Sequence, residues 1–126
     1  MVATPKLIEL DGTPHARGLA YGQQADTQLR HGLGVYRALF SEHGLTWDSV
    51  LGYAAELRDS LAAKVPTAME ELAGIAEGAK VRLEEVLVIN GRSEIINLHA
   101  QRPADPSKLD DGCTAAVVLP AMTASG

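Results

Sequence analysis

The chain is 126 residues long, 46% hydrophobic and 21% charged, which allows one compact domain with an apolar core and excludes a disordered polymer. Its 16 acidic residues outnumber 11 basic ones, giving a net charge of -5; this excludes the dense Lys/Arg surface that phosphate binding needs, and no nucleic-acid partner is expected. The opening Met1-Val-Ala-Thr-Pro-Lys6 has no basic patch followed by a long apolar stretch, so neither a secretory signal nor a membrane span is read there and a cytoplasmic location is expected.

Lys6-Leu-Ile-Glu-Leu10 alternates as a short strand does. Thr13 and Pro14 then form a helix start, with Thr13 as N-cap and Pro14 at the first helical position, where its missing N–H costs nothing. From Pro14 to about His43, Leu19, Leu29, Leu33, Tyr36 and Phe40 lie near helical spacing. The expectation is one long or broken helix, with Gly32 and Gly34 as the places for a kink.

Gly44 reads as a C-cap and Thr46-Trp-Asp-Ser49 as the start of a second helix, which carries Val50, Leu51, Ala54, Leu57 and Leu61 toward Pro66. A third helix is predicted from Pro66 to about Ala79, with Met69, Leu72, Ile75, Ala76 and Ala79 on one face. Residues 83–98 read as a shorter fourth helix, and the β-branched run in 86–89 leaves a strand as the alternative.

Residues 102–112 hold two prolines, three aspartates and a glycine without apolar period, the pattern of an exposed connector. Beyond it, Thr114-Ala-Ala-Val-Val-Leu119 is a short apolar run between Gly112 and Pro120, as expected of a buried strand.

Cys113 stands at that change of character and is the only cysteine, so it is either a small buried apolar residue or a reactive thiol. An internal disulfide is impossible and a thiolate zinc site is not expected. His15, His31, His43 and His99 show no paired ligand spacing, so no metal and no cofactor are expected. Gly18-Leu-Ala-Tyr-Gly22 lacks the Lys-Ser/Thr that grips phosphate and sits within a helical pattern; close helix packing is the expected use of its glycines.

Three stretches together resemble one family. They are Gly12-Thr-Pro-His-Ala-Arg-Gly18 continuing Leu-Ala-Tyr-Gly22, then Glu70-Glu-Leu-Ala-Gly-Ile-Ala-Glu-Gly78, then Asn90-Gly-Arg-Ser-Glu94 followed by Asp111-Gly-Cys-Thr114. Their order and spacing are similar to those of the acyl-coenzyme A:6-aminopenicillanic acid acyltransferases, the C45 peptidases, along nearly all of residues 6–118. Each motif alone is weakly specific, and the set is more so.

The resemblance implies a cysteine N-terminal-nucleophile (Ntn) hydrolase made as a single-chain precursor, a zymogen that cuts itself between Gly112 and Cys113. Residues 1–112 would be the helical small-subunit segment and residues 113–126 the start of the nucleophile-bearing β segment. The implied fold is α+β: the helical segment plus the first strand of an αββα Ntn fold, truncated, because only residues 114–126 follow Cys113. By the same resemblance Cys113 is the catalytic nucleophile and Gly112 and Cys113 flank the processed bond. Asp111, Thr114, Arg92 and Glu94 are candidates for shaping the site, with a structural ion pair as the other reading of Arg92 and Glu94. Ala115 departs from the pattern of members that carry a second hydroxyl residue after Cys-Thr.

The expected partners are an acyl amide or acyl-coenzyme-A-like small molecule and the β-rich remainder of the same precursor. The 126-residue chain alone is expected to be inactive. A second reading is a non-catalytic helical module or gene remnant that docks on a β-rich partner.

Overall fold

The computed structural model describes residues 6–100, with Ala100 described in its backbone alone. Six helices make up this region: α1 (Pro14–Gln24), α2 (Asp26–Glu42), α3 (Trp47–Lys64), α4 (Pro66–Ala79), α5 (Leu83–Asn90) and α6 (Arg92–Ala100). Among the described residues there is no strand, so the expected α+β fold is corrected to an all-α one. The alternation in Lys6–Leu10 is real, with Leu7 and Glu9 exposed and Ile8 and Leu10 half-buried. A strand also needs a neighbouring strand to satisfy its ladder, and this segment instead runs beside helices, where Lys6 Nζ donates to the Gln24 carbonyl at 3.1 Å. The second expected strand, Thr114–Leu119, lies outside the described residues.

Local signals place most helix ends. Thr13 Oγ1 accepts the Ala16 N–H at 3.2 Å, with Pro14 opening α1. Thr46 Oγ1 does the same for Ser49 at the start of α3. At the end of α2, Gly44 takes a positive φ of 76°. There the Leu45 N–H returns to the Phe40 carbonyl at 2.9 Å and the Gly44 N–H to Ser41 at 3.0 Å, a Schellman closure that tucks Leu45 into the core. Pro66 separates α3 from α4, because the residue before a proline is pushed out of helical geometry; Val65 has φ -137° and ψ 58°.

The helical stretch Pro14–His43 breaks at Ala25, with φ -112° and ψ 13°, rather than at Gly32 or Gly34. Ala25 is buried at the corner, and both glycines run through α2 with open space around them. Residues 83–98 likewise form two helices, divided at Gly91, and the β-branched run stays helical with Val86 and Val88 fully buried. The Glu85 carboxylate accepts the Arg82 N–H at 3.0 Å and fixes the start of α5.

Two packing systems hold the helices together. In the first, α1 lies against α4 along glycines from both sides. A Cβ placed on Gly18 or Gly22 would strike the α4 backbone at Glu71 or Ile75, and one on Gly74 or Gly78 would strike the α1 backbone at His15 or Leu19. The absence of these four side chains lets the helices approach backbone to backbone. Arg17 reinforces the pair, reaching Glu71 at 2.6 Å and the Gly12 carbonyl at 2.9 Å. His15 Nε2 lies 3.1 Å from Glu77.

The second system is the apolar core of Phe40, Leu45, Val50, Leu51, Tyr53, Ala54, Met69, Leu87, Val88 and Ile95. Phe40 meets Trp47 at a tilted 54° with ring centroids 6.5 Å apart, and the Arg37 guanidinium lies over the Trp47 ring, 4.5 Å from its centroid. At the edge of this core the buried Glu84 binds Arg58 of α3, with Arg82 at 3.6 Å. Asp59 and then Glu84 hold the Arg58 guanidinium in its charged form to a pH above its ordinary range.

The end of α4 carries the one non-glycine residue with positive φ among the described residues: Lys80 sits at φ 54° and ψ 46°. This left-handed conformation lets the Val81 N–H return to the Ala76 carbonyl at 3.0 Å, while Arg30 donates to the Ala79 carbonyl at 2.6 Å. An L side chain in that region costs about 1 kcal/mol relative to glycine. Lys80→Gly is therefore expected to raise the unfolding free energy by about 1 kcal/mol in urea titration, and a loss of stability would contradict the assigned cap.

Candidate functional site

The family-like segment Asn90–Glu94 forms the elbow between α5 and α6. Gly91 serves both helices: its N–H closes α5 on the Leu87 carbonyl at 2.7 Å, and its carbonyl accepts the Ile95 N–H of α6 at 3.0 Å. Asn90 Nδ2 donates to the Val86 carbonyl one turn back at 3.0 Å. A side chain on Gly91 would come within 3.2 Å of Leu57 Cδ1 and the Leu87 carbonyl, so the elbow is seated tightly against α3. The fully buried Ile95 anchors α6 in the core just beyond it.

Beside the elbow is an apolar groove of about 270 Å³, lined by Leu57 and Leu61 of α3, Leu72 of α4 and Leu87 of α5, with Asn90, Gly91 and Glu94 at its edge. Leu57, Leu61 and Leu72 are half-buried and continue the core outward. Glu94 is exposed and makes no hydrogen bond or ion pair among the described residues. It thus adds a carboxylate to a groove otherwise lined by four leucines, Asn90 and Gly91.

Arg92 points elsewhere, its guanidinium 5.5 Å from the Tyr36 ring centroid on α2. The two side chains are not paired, because residues two apart on a helix project in different directions. The ion-pair reading of Arg92 with Glu94 is thereby corrected, and of the two only Glu94 borders the groove. Asp111, Gly112, Cys113 and Thr114, like Ala115, lie outside the described residues.

His43 Nδ1 lies 2.9 Å from the Leu39 carbonyl at the end of α2, His15 lies beside Glu77, and His31 and His99 are exposed. No group of three or more His, Cys, Asp or Glu side chains able to hold a metal occurs among the described residues. No helix among them is long and apolar enough to cross a membrane. The groove itself was not legible as a site. Its leucines come from three helices, and in the sequence each marks only the inner face of its own helix.

Comparison with family models, with curated proteins and with solved structures finds no match to this chain.

Proposed function

We propose that the chain is the N-terminal part of a self-cleaving cysteine amidohydrolase or acyltransferase whose nucleophile is Cys113. The observation that carries this reading is the placement of the single cysteine directly after Asp111-Gly112, behind a proline- and aspartate-rich connector and in sequence order with the three upstream motifs. One of those motifs, Asn90–Glu94, forms the helix elbow between α5 and α6, with Gly91 closing one helix and opening the other, which suits a role in positioning residues of a site.

The chemistry follows from the residue types. The Cys113 thiol loses its proton and attacks the Gly112 carbonyl carbon. The Gly112–Cys113 C–N bond then breaks as the amine takes up a proton, leaving Gly112 joined to sulfur as a thioester. Water hydrolyses the thioester, which frees the Gly112 carboxylate and the thiol. Gly112 presents no side chain to the attacking sulfur.

The new α-amino group, with an ordinary pKa of about 7.7–8.0, serves as general base near neutral pH, so nucleophile and base share one residue. The thiol then attacks the carbonyl carbon of an acyl amide, the amide C–N bond breaks, and the amine leaves with the thiol's proton as the acyl thioester forms. Water or an amine takes the acyl group from the resulting thioester.

The test uses the protein encoded by the complete gene, with whatever follows Gly126. Incubated with a phenylacetyl amide, it is expected to release amine and to carry a mass increment of one acyl group on Cys113. Cys113→Ala is expected to abolish both. Turnover that survives Cys113→Ala would overturn the assignment.

A further inference from the structure

We infer that the groove between α3, α4 and α5 is the docking place of residues Ala115–Leu119 of this same chain. The groove has the character of an unfilled extension of the core: its walls are Leu57, Leu61, Leu72 and Leu87, three of them half-buried. Its volume of about 270 Å³ holds a few aliphatic side chains.

The chain supplies such side chains nearby. Ala115-Ala-Val-Val-Leu119 is the one run of five consecutive apolar residues in 101–126. Burial of this run and of the open leucines is driven by the same loss of apolar surface to water.

The connection is long enough. Glu94 borders the groove and α6 ends at Ala100; six residues of helix cover about 9 Å at about 1.5 Å per residue. Residues 101–114 span up to about 46 Å when extended, at about 3.3 Å per residue. The segment therefore reaches any part of the groove from the end of α6.

A tether of this length also holds the segment at an effective concentration on the order of millimolar, above that of any second copy in dilute solution. Each copy carries a net charge of -5, and Glu94 adds a carboxylate at the rim, so a second copy is further disfavoured. Docking would place Cys113, two residues before the segment, close to the Asn90–Glu94 elbow. The inference concerns the uncut chain, in which residues 101–114 tether the segment, and its test needs only the Cys113 thiol.

Because Cys113 is the only cysteine, disulfide trapping in the intact chain tests the placement. Glu94→Cys and Leu61→Cys, prepared separately and oxidised at low protein concentration, each add one thiol at the groove. At least one is expected to form an intramolecular disulfide with Cys113, read by peptide mapping, at tenfold or greater yield over Gln28→Cys on α2. Adding Val118→Asp is expected to cut that yield fivefold or more without changing the helical circular dichroism.

Equal yields at the groove and at Gln28→Cys, or a yield unmoved by Val118→Asp, would overturn the inference. Disulfide-linked dimers as the main product would overturn it in favour of a second copy. Loss of turnover in Cys113→Ala bears on the proposed function alone, so the two ideas fail separately.

Discussion

Alanine at Gly18 is expected to lower the unfolding free energy by about 3 kcal/mol, at the upper end of the range for overpacking a close contact. The new Cβ would fall on the Glu71 backbone carbonyl, and a carbonyl inside a helix has no rotamer by which to yield. The helices α1 and α4 must then separate, weakening the contacts around Gly22, Gly74 and Gly78 and the Arg17–Glu71 ion pair together. A loss of that size is a large part of the about 5–15 kcal/mol that holds a typical domain. Gly34→Ala is the matched control. It lies in α2 with nothing near its Cβ position, and helix propensity alone is expected to stabilise it by about 0.5–1 kcal/mol. Urea titration followed by circular dichroism should give opposite signs for the two variants, and equal effects would contradict the close α1–α4 approach.

Cys113→Ala is expected to leave the complete precursor as one uncut chain, the largest functional effect open to a single substitution here. Alanine has no nucleophile, and under the proposed chemistry the thiol is the group that reaches the Gly112 carbonyl. Cys113→Ser is expected to cut slowly, because a hydroxyl is far less ionised than a thiol at neutral pH and is the weaker nucleophile. The order Cys, Ser, Ala in cleavage rate separates nucleophilic self-cleavage from trimming by a contaminating protease, which would cut all three alike. Gel electrophoresis over a time course reads the difference.

The helix ends legible in the sequence were those written by local chemistry. Thr13-Pro14, Gly44, Thr46 and Pro66 each act through one cap or one forbidden conformation, and each marks a helix boundary where expected. The breaks that were misplaced depend on what lies opposite. Gly32 and Gly34 suggest a kink, yet α2 continues through them, and the chain turns instead at Ala25, a small buried residue between α1 and α2. Gly91 divides residues 83–98 because the elbow is pressed against Leu57, a neighbour far away in sequence.

The same distinction governs the strands and the site. Alternation in Lys6–Leu10 reported which side chains turn inward, but a strand also requires a partner edge, and periodicity carries no information about one. The close packing of Gly18 and Gly22 was legible from their place within a helical pattern without a phosphate-gripping Lys-Ser/Thr, whereas their counterparts Gly74 and Gly78 emerge as partners only when α1 and α4 are set together. Glu94 was legible as a candidate through its motif, and the groove it borders was not, because four leucines from three helices become one surface only through packing.

The position of the cut in the complete gene product tests the proposed nucleophile most directly, and intact-mass measurement with sequencing of the new N-terminus reads it. The expected result is two pieces: one ending at Gly112 and one beginning with Cys113. A single uncut mass, or a new N-terminus at any residue other than Cys113, would contradict Cys113 as a self-released nucleophile.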